Sequence, residues 1–545
     1  MRILHQAIAF AGIFVVLALP TFAGDLLPPD RPIAEAVDHY IDATLRHEGI
    51  RPAPPCDAAA LVRRVTLDLA GRIPTVTETR SFVESTDPRR TARLVDRLMT
   101  SPGFVRHQAA ELDTLLMAGG PGTLREYLVR AVGENRPWDA IFRELMLPNQ
   151  AAKSKNGAAD YLRRRIKDTD RLTAEVSSTF FGVNISCAQC HDHPLVEDWK
   201  QDHFYGMKAF FDRTILNGNG REAFLAERGF GVSRFKTTEG VERTARMMFL
   251  TGRKAAEPEA SRDASRDEQK QEKERLQRAK KDRAPPPSPH FSARAKLVEM
   301  ALAPGDRDYF ARAIVNRTWH RLLGRGLVMP LDQMHSANPP SHPELLAWLA
   351  RDTINHGYDL RRLVRGLVLS RAYARDSQWD SGEPPRPSLF AVAAVRPLTP
   401  AQLACSLRIA TADPENLPAG LRPAELDRRV EAMAEQSRGL AGSLGSSGGD
   451  GQIGVAEALL FSNSARIERE LLGDSDGRLV ARMLRLAEPE QQVELAVRNV
   501  LSRPPDDDER APLVDYLRRR SDRPDAACRQ LVWALLTSPE FRFNH

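Results

Sequence analysis

The stretch LREYLVRAVGENRPWDAIFRELML, Leu124 to Leu147, sets apolar side chains three and four residues apart on both sides of an Asn135-Arg136-Pro137 break. That spacing is the period of an α-helix that buries one face, so the stretch predicts two helices joined by a short turn. The same period runs outward in both directions. Towards the N-terminus it is carried by Ile33, Val37, Tyr40, Ile41 and Leu45, stopped by Gly49, and then by DAAALVRRVTLDLAG from Asp57 and RTARLVDRLMTSP from Arg90. Towards the C-terminus it continues through DRLTAEVSSTFFG from Asp170, ARAKLVEMAL from Ala293, DYFARAIVNRTWHRLLG from Asp308, HPELLAWLARDTINHG from His342 and DLRRLVRGLVLSRAYA from Asp359. Thr399, with Gln402 three residues on, reads as a capping box that starts another helix. DGRLVARMLRLA, PEQQVELAVRNVLS, APLVDYLRRR and ACRQLVWALLTSPEF carry the pattern to the end of the chain. The expected fold class is mainly α, built of multi-helix domains, with one short β-hairpin between Gly229 and Leu250.

The hairpin precedes a run from Lys254 to Arg283 that is almost wholly charged and polar, followed by APPPSP from Ala284 to Pro289. Charges of both signs at i,i+4, such as Glu274 with Arg278, suggest a solvated helix or a tether, and the prolines end it. The expected organisation is therefore a signal peptide over 1–23, an N-terminal helical domain over 24–250, a charged and proline-rich linker over 251–290, a helical domain over 291–378, and a helical C-terminal extension over 379–545 with a flexible Gly/Ser-rich loop at 439–454. Two echoes link the halves: Asn135 to Asp139 parallels Asn355 to Asp359, and Leu98-Met99-Thr100-Ser101-Pro102-Gly103-Phe104 parallels Leu536-Thr537-Ser538-Pro539-Glu540-Phe541. They are too few for a solenoid and read as one capped helix-turn used repeatedly.

At 545 residues, 42% hydrophobic and 28% charged, the chain has the composition of a soluble globular protein of two or three domains. A net charge of +6 is small for this length and spread along the chain, which leaves no nucleic-acid footprint. The start points to export. Arg2 supplies a short positive region, the apolar run from Ala7 to Leu19 is too short to span a bilayer comfortably, and Thr21-Phe22-Ala23 offers small residues for cleavage. The expectation is a periplasmic or secreted protein with no stable membrane span after cleavage; an uncleaved anchor is the alternative.

Against that location stands ISCAQCHDHP, Ile185 to Pro194, which holds two of the chain's five cysteines and two histidines. Cys56, Cys405 and Cys528 sit singly and read as buried small side chains, so this is no disulfide framework. One reading of the cluster is covalent haem attachment: Cys187 and Cys190 can bond the two vinyl groups of one porphyrin, and His191 then lies against the iron. His203 and Met207, four residues apart, are candidates for a sixth ligand, although the Phe and Tyr around them also suit a core helix. A second reading draws on Cys187, Cys190, His191, His193 and His203 to hold zinc tetrahedrally. A third makes Cys187 and Cys190 a disulfide.

His320, His335, His342 and His356 are scattered and read as surface or hydrogen-bonded residues. Asp68 and Asp359 read as helix-terminal caps. The sequence contains no nucleophile elbow, phosphate-binding glycine loop or zinc-protease motif, and it leaves open whether the protein is an enzyme.

LVRRVTLDLAGRIPT (Leu61 to Thr75), NRPWD (Asn135 to Asp139), FFGVNISCAQCHDHP (Phe180 to Pro194) and WKQDHFYGMKAFF (Trp199 to Phe211) resemble the N-terminal domain of the planctomycete cytochrome-associated family of unknown function. FARAIVNRTWHRLLGRGLV (Phe310 to Val328), SHPELLAWLA (Ser341 to Ala350) and RPLTPAQL (Arg396 to Leu403) are similar to the planctomycete-specific C-terminal domain that usually follows it. The resemblance implies an exported multidomain protein whose characteristic site is Cys187, Cys190, His191, His193 and Pro194, and it supplies no reaction. Many relatives carry a further N-terminal cytochrome c domain, whereas this chain begins at the second, so a haem would sit at Cys187 to His191.

The expected function is therefore an exported protein with a single haem c, passing electrons or sensing redox state or a small ligand, with a redox partner or surface ligand that the sequence does not name. The alternative is a non-redox structural or surface-interaction protein whose cluster binds zinc or forms a disulfide.

Overall fold

The computed structural model describes residues 26–117, 124–150, 157–193, 196–218, 223–259, 264–444 and 465–545; the expected signal peptide at 1–23 lies outside them. In the first part of the chain the helices are α1 (Ile33–His47), α2 (Ala58–Ala70), α3 (Val76–Val83), α4 (Arg90–Thr100), α5 (Pro102–Met117), α6 (Arg125–Gly133), α7 (Trp138–Met146), α8 (Ala159–Arg163), α9 (Thr169–Phe181) and α10 (Gln201–Lys208). The quoted stretch is α6 and α7, broken where expected. Local chemistry sets the ends. Asp57 caps α2 by accepting the amide of Ala60, Gly71 closes it in the left-handed conformation at φ +69°, and Thr75 with Glu78 forms a capping box on α3.

Two antiparallel hairpins follow: β1 (Thr214–Asn217) with β2 (Phe224–Glu227), and β3 (Ser233–Lys236) with β4 (Glu242–Ala245). The second lies in the segment expected to be strand. The first lies outside it, in TILNGNGREAFLAE, whose strands of four residues are too short for an alternating pattern to declare itself. A third pairing joins β5 (Arg396–Pro397) to β6 (Phe543–Asn544) across most of the second half.

The charged run contains α11 (Arg266–Lys281), started by a Ser265–Glu268 capping box. It is docked: Asn217 donates to the carbonyl of Leu276, Gly229 donates to Glu272, and Arg275 donates to the carbonyl of Glu227. Then come α12 (Ala293–Ala301), α13 (Arg307–Leu323), α14 (Pro343–Asn355), α15 (Leu360–Val368), α16 (Pro400–Ala410) and α17 (Pro423–Ser443), with further helices at Ala465–Leu471, Leu479–Leu484, Pro489–Leu501, Asp507–Arg519 and Pro524–Thr537. The Thr399–Gln402 capping box is present as read. The expected loop at 439–454 is corrected at its start: α17 runs on to Ser443, because Leu440 still packs inward, and residues 445–454 lie outside those described.

One hydrophobic core runs from Ile33 to Ala391 and draws on helices from both sides of α11. At its centre Trp138 stacks on Phe310 at 6.2 Å, and Phe142 meets Phe180 at 4.8 Å. A second core gathers residues from Leu398 to Phe541 together with Leu67 and Ile73. Of the two echoed pairs the first is in contact, and the second repeats one local bond. The amide of Trp138 donates to the carbonyl of Tyr358 at 3.1 Å, while Ser101 and Ser538 each accept the amide three residues on, from Phe104 and Phe541.

Asp359 caps α15 by accepting the amide of Arg362. Asp68 is a correction. It lies inside α2, buried, and binds Tyr373, Arg396 and Asn544 instead of free helix-end amides.

Candidate functional site

Helix α9 ends at Gly182, whose φ of +67° turns the chain out of the helix. Four residues further the backbone enters a short 3₁₀ helix, Ser186–Gln189, which holds Cys187 and leads into Cys190 and His191. Cys187, Cys190 and His191 are all exposed, and both thiols are free. They leave one turn of chain in the same region, as a Cys-x-x-Cys-His string on a helical turn should.

The turn is held from three sides. From α10, Gln201 donates through its side chain to the carbonyl of Cys190 at 3.0 Å, and the Tyr205 hydroxyl donates to the carbonyl of Gln189 at 3.1 Å. Tyr205 is itself fixed by stacking on Phe235 of β3, 4.2 Å between ring centres. From α9, Asp170 accepts from Gln189 at 3.0 Å and pairs with Lys208 of α10 at 2.6 Å. From the loop after α13, the carbonyl of Asp332 accepts the amide of Asn184 at 2.7 Å, and Met334 donates to the carbonyl of Gly182 at 3.0 Å. This last support comes from 148 residues downstream, and no local pattern announces it.

His191 Nδ1 lies 2.7 Å from the carbonyl oxygen of Asp192. A carbonyl can only accept, so Nδ1 carries the proton and the lone pair of Nε2 is left free. His203 has the opposite polarity. Its Nδ1 accepts the amide of Lys200 at 3.2 Å, so in the neutral ring Nε2 holds the proton. Burial lowers the pKa of His203 and favours that neutral ring, which packs edge-on against Trp199 at 5.8 Å. Met207, one turn on, is fully buried in the core. Cys187, Cys190 and His191 are thus each exposed along the same short stretch of chain, whereas His203 and Met207 have hydrogen-bonding and packing roles in α10.

His193 is half-buried, with its amide donating to the carbonyl of Trp199 at 2.8 Å. His335, from the downstream loop, is close enough to feel the charges of both His193 and Asp198, and burial lowers its pKa. Ser336 fastens that loop by donating to both oxygens of Asp198, at 2.8 and 2.9 Å. Among the described residues no three His, Cys, Asp or Glu side chains converge as a metal-holding group. Pro194 lies outside the described residues.

Among the described residues no helix is long and apolar enough to cross a membrane. Residues 36–215 match the family PSCyt2, a protein of unknown function (DUF1549), and residues 293–440 match PSD1, a protein of unknown function (DUF1553). No curated protein and no solved structure matches the chain. The first matched segment holds the cysteine turn, the second holds the loop that braces it, and the chain thus carries in tandem two planctomycete-type segments of unknown function, PSCyt2 followed by PSD1.

Proposed function

We propose that this chain is an exported protein that holds one haem c through Cys187, Cys190 and His191 and serves in electron transfer or in sensing redox state or a small ligand. The observation that supports it most is the His191 ring. Its Nδ1–H is spent on a backbone carbonyl, which leaves Nε2 as a free lone pair on a stretch of chain that also carries two exposed free thiols. An imidazole that ligates through one nitrogen while the other donates to a carbonyl is the arrangement that fixes tautomer and ring orientation at metal centres. When bound, the group supplies a one-electron redox couple, or an iron site for a small ligand. The chain's own part is to present the two thiols for bonding, to aim His191, and to hold the turn through Gln201 and Tyr205. His203 and Met207 do not fit as a sixth ligand, since the first has its proton on Nε2 and the second is enclosed.

The test is a haem stain of a denaturing gel, run on the full chain expressed in a host that matures c-type cytochromes, beside metal analysis of the same sample. Pigment that stays on the denatured wild-type chain and is lost in Cys190→Ala supports the reading. A colourless chain overturns it, with about one zinc per chain, or a Cys187–Cys190 disulfide by mass spectrometry, identifying which of the alternatives replaces it.

A further inference from the structure

A cavity of about 320 Å³ opens between α5, α13 and α15, with Asn135 and Arg136 of the turn between α6 and α7 also in its lining. None of its lining residues belongs to the cysteine turn or to α10. It is assembled from both matched segments, since α5 to α7 lie in the first and α13 and α15 in the second. Its volume falls in the range of ligand sites, roughly 300–1,000 Å³.

The walls are mainly apolar, with Phe104, Leu115, Ile314 and Leu360 among them. The charged groups among the lining residues are predominantly cationic: Arg136, Arg317, Arg321 and Arg361 line the space against the single carboxylate of Glu111, beside neutral polar side chains such as Gln108 and Thr318. Most of these arginines are occupied. Arg136 pairs with Glu144 at 2.7 Å, Arg317 donates to the carbonyl of Ser178 at 2.7 Å, and Arg361 donates to the carbonyl of Val132 at 2.8 Å. Even so, the Nε atoms of Arg317 and Arg361 are buried with no partner.

Arg321 differs from the other three. Among the described residues its guanidinium makes no hydrogen bond and no ion pair, although it lies among apolar walls and feels Glu111 and Asp68 only at longer range. Burial lowers its pKa, and burial raises that of Glu111. Arg321 is half-buried and its guanidinium faces the cavity without a partner, and the group that best answers it there is a carboxylate, whose two oxygens match the guanidinium fork. A sugar or nucleotide would waste the apolar walls. A neutral hydrocarbon would leave the guanidinium unanswered.

We propose that the cavity binds a monocarboxylate with an apolar body, such as a medium-chain fatty acid, with its carboxylate on Arg321 and its hydrocarbon against Phe104, Leu115, Ile314 and Leu360. The site is independent of the haem reading and stands whether or not the cysteines carry a cofactor.

The test is calorimetric titration of the full chain with decanoate and, separately, with decanol. Saturable binding of decanoate near one per chain, at least tenfold tighter than decanol, is expected. Arg321→Gln should weaken decanoate at least tenfold while leaving decanol unchanged, and Ile314→Trp, which fills the space, should remove both. Equal affinity for acid and alcohol, or no binding of decanoate, overturns the proposal on the wild-type chain alone, even if Arg321→Gln proves unable to fold. Decanoate affinity unchanged in a folded Arg321→Gln, as judged by circular dichroism, overturns it as well.

Discussion

Both oxygens of the Asp68 carboxylate, on α2, are held by the guanidinium of Arg396, on β5, at 3.0 and 2.8 Å. Tyr373 and Asn544 donate to the same carboxylate at 2.7 and 2.9 Å, so one buried charge gathers three segments from the far end of the chain. Removing a partner from a buried, fully bonded pair strands the rest without water, and breaking such pairs costs about 3–5 kcal/mol. Asp68→Ala should therefore lower the stability of the full chain by about 3 kcal/mol in urea unfolding. A loss below about 1 kcal/mol would show that the network is incidental to the fold.

His342 gives a pH dependence with a definite sign. Burial lowers its pKa to about 4, its ring packs 5.6 Å from Phe390, and its Nε2 is buried with no hydrogen-bond partner. In the unfolded chain a histidine titrates near 6.5, so between about pH 6.5 and 4 the unfolded state binds the extra proton. The stability contributed by the neutral ring is present above about pH 6.5 and is lost as pH falls through that window, with a slope approaching 1.4 kcal/mol per pH unit. His342→Phe should flatten the unfolding free energy between pH 6.5 and 4 relative to wild type. Parallel wild-type and variant curves would refute the assignment to His342.

Much of the helical plan was legible because its signals are local. The period of three and four around Leu124 to Leu147, the Thr399–Gln402 box and the Asp359 cap each lie within a few residues, and each is present. The same holds for the composition of the cysteine turn. What was not legible depends on partners distant in sequence. Asp68 reads as a cap because its neighbours suit one, and only folding brings Arg396 and Asn544 to it. The pairing of β5 with β6 joins two-residue strands that have no period to detect. Arg321 lies in a helical pattern that gives no sign of a cavity, and His203 and Met207 share a helix face that spacing assigns equally well to ligation or to packing.

Gly182 joins the two matched segments at the candidate site. Its φ is +67°, and a Cβ built there would stand 2.9 Å from the sulfur of Met334 in the bracing loop. Alanine would meet both the left-handed backbone penalty and that contact, together about 2 kcal/mol or more. Gly182→Ala should lower the thermal midpoint and reduce the amount of covalent pigment on the chain, because it displaces the loop that steadies Asn184 and the turn. A variant as stable as wild type would mean that the loop yields freely and does not brace the site.

The five cysteines should separate into two kinetic classes under native conditions. Cys187 and Cys190 are exposed, whereas Cys405 and Cys528 are buried and Cys56 is partly so. Burial also raises the pKa of the last three, of Cys528 to about 11, which suppresses the thiolate that reacts. Iodoacetamide labelling followed by peptide mass spectrometry of cofactor-free chain should modify Cys187 and Cys190 at least a hundredfold faster than the others. In chain matured with haem, those two should become unreactive even after unfolding, while Cys56, Cys405 and Cys528 become reactive on unfolding. Rapid labelling of Cys187 and Cys190 in chain produced under maturation conditions would exclude a bond at either sulfur, and with it the proposed use of the turn.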